Sequence, residues 1–192
     1  MSSLEQDRAA EHGKYVRAYR TNPRYRMKAE RMADAVTDIR ALPTRGAYLD
    51  VSCGRGDMLE AATSLGFRPV RGTEIVPALI DGKRVVYAEV HALPFADKSF
   101  DVATMWDVIE HLIPGDDRRA CHELARVARA HVLLTANNRP SFNKQGEDLH
   151  INRREYGDWD ALLREWFFPH RVTWLKYPGR HYISEAWRID IA

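Results

Sequence analysis

Three groups of residues in this chain have the types and spacing to do chemistry. The first is Asp50-Val51-Ser52-Cys53-Gly54-Arg55-Gly56-Asp57, where an apolar run, Ala47 to Val51, meets a turn of small residues. The turn opens onto a helical pattern, Met58-Leu59-Glu60-Ala61-Ala62. Strand, glycine turn and helix form the arrangement that takes a nucleotide-type cofactor. The glycines remove Cβ atoms where a ligand approaches the backbone, and the helix start offers unpaired N–H groups to an anion. The second is Glu74, roughly 20 residues past the loop, where a βαβ fold sets an acid against ribose hydroxyls. Such a charge-assisted bond contributes about 1.5–3 kcal/mol. The third is Asp107-Val108-Ile109-Glu110-His111, after the apolar run Val102 to Trp106. The C-terminal end of a strand in an open α/β sheet faces the ligand crevice. An imidazole with a pKa of about 6.5 can take a proton at neutral pH, so His111 is a candidate general base. The Glu-His pair can equally be structural.

Alternating β and α patterns supply the elements that position these residues. Strands are expected over 47–51, 69–74, 84–89, 102–106 and 132–136, with helices over 57–65, 116–129 and 157–166. Two further strands, about 171–177 and 182–191, join at Pro178-Gly179-Arg180. Ahead of the first strand, residues 1–40 read as helix with a break at Thr21-Asn22-Pro23, the second helix covering about 24–40. Ile75 to Gly82 leaves room for barely two helical turns. That shortening thins one face of the sheet and leaves it to the N-terminal helices, a partner or a second copy of the chain. Ser141 to Asp148 is polar and reads as a mobile loop.

The 192 residues, 45% hydrophobic and 29% charged, suit one globular unit. A net charge of +2 sets up no field that demands nucleic acid. Residues 1–45 carry ten Lys and Arg against six acids. They read as a solvated face or as a basic flap over an anionic, even phosphate-bearing, substrate. The two cysteines, Cys53 and Cys121, form no disulfide framework and no zinc-type spacing, so no metal site is expected. The polar first residues lack a signal peptide pattern, no apolar run approaches the roughly 20 residues of a membrane span, and a cytoplasmic protein is expected.

Leu49-Asp50-Val51-Ser52-Cys53-Gly54-Arg55-Gly56 resembles the first motif of class I S-adenosylmethionine (SAM)-dependent methyltransferases, an acid followed by three alternating glycines. Ser52 stands at the first glycine and fits there only if its φ stays negative. Glu89-Val90-His91-Ala92-Leu93-Pro94-Phe95-Ala96-Asp97-Lys98-Ser99-Phe100-Asp101 is similar to a run of the small-molecule branch that includes ubiquinone- and menaquinone-pathway enzymes. Asp107-Val108-Ile109-Glu110-His111 and His150-Ile151-Asn152-Arg153-Arg154-Glu155-Tyr156 resemble two more segments of that branch.

The resemblance implies a Rossmann-like, seven-stranded, mostly parallel sheet with an antiparallel C-terminal hairpin strand and helices on both faces. It also implies an N-terminal helical cap over 1–41, a SAM-binding domain over 42–192, and S-adenosylhomocysteine (SAH) as product. By the same resemblance Asp50, Ser52, Cys53, Gly54 and Gly56 form the cofactor loop and Glu89 accepts from the adenine amino group. The Val90 N–H reaches a ring nitrogen, and Asp107 lies near the methionine end. His150 becomes a second candidate base, and Tyr15, Tyr19 and Tyr25 become candidates to line the acceptor pocket, or equally aromatic anchors that dock the N-terminal helices on the body. The methyl acceptor is then an O, N or C atom of a small molecule. DNA-base routes are disfavoured, because Trp106-Asp107-Val108-Ile109 replaces the Asn/Asp-Pro-Pro-aromatic motif and neither cysteine follows a proline. Two other readings stay open. Ser52 and the short segment after Glu74 favour a SAM-binding or partner-binding module without catalysis. A nicotinamide-dependent enzyme is weakened by the absence of a complete Gly-x-Gly-x-x-Gly.

Overall fold

The structure is a computed structural model that describes residues 3–25, 27–181 and 184–192. Two helices, α1 (Ser3–Thr21) and α2 (Ala29–Arg40), precede strand β1 (Tyr48–Asp50). There follow α3 (Asp57–Ser64), β2 (Val70–Glu74), β3 (Val85–Tyr87), β4 (Phe100–Met105), α4 (Asp116–Val127), β5 (Ala128–Ala136), α5 (Tyr156–Trp166), β6 (Arg171–Trp174) and β7 (Glu185–Asp190). The seven strands form one sheet in the order β3-β2-β1-β4-β5-β7-β6. The first five run parallel, and β7 pairs antiparallel with both β5 and β6. Strand order reverses at β1, so the crevice beyond the ends of β1 and β4 is the switch point at which such sheets bind ligands.

Period-two alternation divides the sheet into two apolar faces. Leu49, Ala103, Val132 and Leu134 face Leu124 and Val127 of α4 and Trp159 and Leu163 of α5. Tyr48, Val102 and Leu133 face Met58, Leu59 and Ala62 of α3 and Ala35 and Ile39 of α2. Each large side chain buried in this way contributes roughly 1.5–3 kcal/mol. A buried ion pair ties α2 to the β6–β7 connection. Arg180 Nη1 donates to Asp38 Oδ1 at 3.0 Å and Oδ2 at 2.7 Å, and the Tyr177 hydroxyl donates to Oδ1 at 2.9 Å.

Local chemistry moves several boundaries from their expected places. Helix α2 begins at Ala29 rather than near Arg24, because the Arg24 N–H donates to Asn22 Oδ1 and the Tyr25 N–H to the Asn22 carbonyl, which makes a turn. Helix α4 stops at Val127 and β5 starts at the next residue. Strand β6 ends at Trp174, short of the expected Tyr177. Tyr182 and Ile183, where the last strand was expected to begin, and Arg26 of the basic N-terminal run lie outside the described residues. The short segment after Glu74 is a single 3-10 turn, Pro77–Leu79.

Ser52 corrects an expectation. Its φ is +58°, in the left-handed region, instead of negative. Hydrogen bonds to β2 hold the turn there: the Ser52 N–H donates to Thr73 Oγ1 at 3.3 Å and the Cys53 N–H to the Thr73 carbonyl at 2.9 Å. A non-glycine residue so placed costs about 1–3 kcal/mol, which the surrounding bonds must offset.

Candidate functional site

The C-terminal edge of the sheet carries a cavity with the glycine loop on its wall. Asp50, Ser52, Cys53, Gly54, Glu74, Glu89, Val90 and Asp107 all line it, as do Tyr15, Tyr19, Tyr25, His111 and His150. Gly56 does not; it sits at the start of α3 with φ +81°, a conformation that favours glycine.

Backbone donors fix the Glu74 carboxylate. Oε1 accepts from the Ile75 and Val76 N–H groups at 2.8 and 3.1 Å, and Oε2 from the Gly54 N–H at 2.9 Å. The loop and the acid are therefore one hydrogen-bonded unit. Burial raises the Glu74 pKa and the backbone bonds oppose that rise. Asp50 is more deeply enclosed and accepts from Thr104 Oγ1 at 2.8 Å; burial pushes it up to about 7.

The Leu93-Pro94-Phe95 run that follows Glu89 is pinned from α4. Glu123 accepts the Leu93 N–H at 2.7 Å, while Arg126 donates to the Leu93 and Phe95 carbonyls at 3.0 and 2.7 Å. The run thus holds the loop after β3 against the body, and Phe95 meets Phe100 edge to face at 5.0 Å. Asp107 is held in a left-handed conformation, φ +53°. Its carboxylate accepts from Ser184 Oγ at 2.7 Å and Thr135 Oγ1 at 3.1 Å, and it pairs with Arg31 at 2.7 Å.

Helix α1 lies across this site. Arg8 grips Asp116 with two bonds, 2.7 and 2.5 Å, and Arg17 grips Glu147 at 3.0 and 2.5 Å. Tyr15 donates to the Leu149 carbonyl at 3.1 Å, and His12 Nε2 stands 3.1 Å from Glu89 Oε2. A Cβ built on Gly54 would come within 2.6 Å of the Tyr19 hydroxyl, so Tyr19 rests directly on the loop. With α1 in this position the cavity holds about 230 Å³, below the roughly 300–1,000 Å³ of ordinary ligand pockets. Arg8, His12 and Arg31 are site residues that sequence reasoning missed. The signal for the first two was present in the spacing: positions 8, 12, 15 and 19 share one helix face.

On the other flank His111 Nδ1 faces the Leu149 carbonyl at 2.7 Å and His150 Nδ1 faces the Arg139 carbonyl at 2.5 Å. The rings meet edge to face at 4.6 Å, and Tyr15 packs on His111 at 5.3 Å. Burial, with His150 adding to it, pulls His111 down to about 3, and burial lowers His150 as well. Burial thus favours the neutral form of both rings and works against the general-base role expected of His111 from an ordinary imidazole.

A glycine loop locked to an acid, at the switch point of a sheet ordered in this way, accords with the match of residues 23–188 to a family model described as a methyltransferase domain. The chain belongs to that family. It is a SAM-dependent methyltransferase. No curated protein sequence matches it. Solved structures share the fold. A Burkholderia thailandensis 1,6-didemethyltoxoflavin N1-methyltransferase, bound to 1,6-didemethyltoxoflavin and SAH, is 18% identical with a TM-score of 0.74. That match covers 100% of this chain and 92% of that one. A Pyrococcus horikoshii protein is 18% identical with a TM-score of 0.69, covering 91% of this chain and 98% of its own. A Thermotoga maritima SAM-dependent methyltransferase, a possible histamine N-methyltransferase, is 21% identical with a TM-score of 0.59, covering 84% and 89%. Among the described residues of the methyltransferase no helix is long and apolar enough to cross a membrane.

Proposed function

We propose that this methyltransferase acts on a small, flat, ring-bearing molecule. The observation that supports this most is the apolar and aromatic part of the lining, where Tyr15, Tyr25, Met27, Met32, Trp106 and the two imidazoles face one cavity. The Burkholderia neighbour, solved with 1,6-didemethyltoxoflavin, is in keeping with a small-molecule acceptor. A phosphate-bearing acceptor has less support, because the lining cations Arg8 and Arg31 are already paired with Asp116 and Asp107, and the third, Arg55, lies over the Tyr19 ring.

The cavity residues fit SAM, which supplies an activated methyl group. Gly54 carries no side chain where the Tyr19 hydroxyl now lies against it, so its backbone is bared to the cofactor once Tyr19 moves off. Glu74, fixed by three N–H groups, presents its carboxylate to ribose hydroxyls. Glu89 and the Val90 N–H take the adenine edge, and Asp107 stands at the methionine end. Asp50, Ser52, Cys53 and Gly56 shape the loop behind them. Tyr15 covers the acceptor side, where His111 and His150 orient the molecule, and Tyr19 reaches from there over the glycine loop. Placement then supplies most of the catalysis, because a well-aligned pair of reactants needs little else. Residues 1–41 act as the cap, with α1 as the cover and α2 as its packed anchor. A cytoplasmic location draws support from two free thiols, Cys53 and Cys121.

Titration calorimetry with SAH tests this reading, with NADH as the control. The protein is expected to bind SAH and not NADH. Glu74→Gln should weaken SAH by about 10–150-fold, the equivalent of a lost charge-assisted bond. Unchanged affinity in that variant would remove Glu74 from the cofactor site, and absent SAH binding in the wild type would overturn the reading.

A further inference from the structure

Glu110, His111 and His150 meet at one point, although the two histidines are 39 positions apart. Each offers a ligand-capable atom within 4.8 Å of the other two. Glu110 is fully buried, and its carboxylate oxygens have no side-chain partner among the described residues; only the backbone at Asn137 and at Glu110 itself opposes the cost of that burial. The nearby Arg31 makes its direct ion pair with Asp107, at 2.7 Å, and acts on Glu110 only at longer range. A carboxylate in the dry interior with no side-chain partner and no direct ion pair is costly, and an unexplained one points to a missing group.

The two imidazoles are set up to supply that group's other ligands. Each Nδ1 faces a backbone carbonyl, at 2.7 Å from Leu149 and 2.5 Å from Arg139. A carbonyl can only accept, so each Nδ1 carries the hydrogen and each Nε2 keeps a lone pair. Metal-bound histidines are oriented in this way, with the second ring nitrogen donating to a carbonyl or carboxylate. Two imidazoles and one carboxylate suit a divalent first-row transition ion and suit Mg²⁺ or Ca²⁺ poorly. His111 and His150 also line the cavity, so an ion held by three protein ligands would keep an open position toward the acceptor.

We propose that Glu110, His111 and His150 form a site for a divalent transition-metal ion on the acceptor wall of the cofactor cavity. The ion's place in catalysis rests on the methyltransferase reading above; its binding does not. An acceptor hydroxyl or ring N–H that ligates the ion gives up its proton to solvent. The resulting anion forms a bond to the methyl carbon as the carbon–sulfur bond breaks. The bonding pair stays on sulfur, and SAH leaves.

The test is a titration of metal-stripped full-length protein with Co²⁺, read by visible d–d absorbance, followed by displacement with Zn²⁺. One equivalent of Co²⁺ per chain is expected, with the band lost on adding Zn²⁺. Glu110→Gln and His150→Ala should each weaken Co²⁺ by at least about 10-fold, with circular dichroism confirming that each variant folds. The wild-type titration decides even if a variant fails to fold: absence of stoichiometric Co²⁺ binding overturns the proposal. So does binding that persists unchanged in a folded His111→Ala/His150→Ala double variant, which would assign it to other donors. SAH calorimetry on the same sample separates the two readings. SAH binding without Co²⁺ binding overturns the metal site alone, whereas Co²⁺ binding without SAH binding supports the site and overturns the cofactor assignment.

Discussion

Cofactor entry should be limited by the opening of α1, and Arg8→Ala should accelerate it. Two groups that the proposed function assigns to the cofactor are covered in the present arrangement: Glu89 stands 3.1 Å from His12, and the Tyr19 hydroxyl rests on Gly54. The strongest latch is the two-bond contact of Arg8 with Asp116, whose side chains are 18% and 7% exposed. A charge-assisted contact of this kind contributes about 1.5–3 kcal/mol. The lower end applies here, because His91 and Arg119, each 3.8 Å from Asp116, can partly replace the lost guanidinium. Since about 1.4 kcal/mol is a factor of ten, the open population and the SAH on-rate should rise roughly tenfold. Stopped-flow tryptophan fluorescence reports the rate, as Trp106 lines the cavity. Arg171→Ala, which breaks an ion pair with Asp190, serves as the control and should leave the rate unchanged. An Arg8→Ala protein that folds normally yet binds SAH at the wild-type rate would refute the gating argument.

Two further outcomes follow from buried charge. Arg180→Met alone strands Asp38 in the interior and should cost about 3–5 kcal/mol, a fall in melting midpoint of about 6–20 °C for a chain of this size. Adding Asp38→Leu should restore much of it; a single variant that melts within about 2 °C of wild type would show the pair to be solvated. The second outcome concerns pH. The folded-state pKa of Asp50 is pushed up to about 7 from 3.8, so between those values the folded chain binds the extra proton and stability falls as pH rises. His111, pulled down to about 3 from 6.5, acts oppositely. The unfolded chain binds its proton between those values, and stability falls as pH drops. Asp50→Asn removes the first effect only. Its melting midpoint should exceed wild type by more at pH 8 than at pH 5, and a gap that does not change with pH would contradict the assignment.

Much of the sheet was legible because burial writes itself locally. Val132, Leu133 and Leu134 read as one apolar run because β5 is covered on both faces, by α4 and α5 on one side and α2 and α3 on the other. The boundaries that moved did so where a side chain competed with the backbone, as Asn22 does before α2. The left-handed Ser52 was not legible. Its conformation is held by Thr73, on a different strand 21 residues away, and a residue type alone does not report such bonds.

The candidate site divides along the same line. Residue types and short spacings by themselves determined the glycine loop, the acid at Glu74 and the Glu110-His111 pair, because strand, turn and helix each leave a local pattern. Only the tertiary structure decided that Gly56 lies outside the cavity lining, that Arg8 reaches Asp116 across 108 positions and that His150 joins Glu110 and His111. Those meetings depend on how helices pack on a twisted sheet, and contacts made at long range leave no period in the chain.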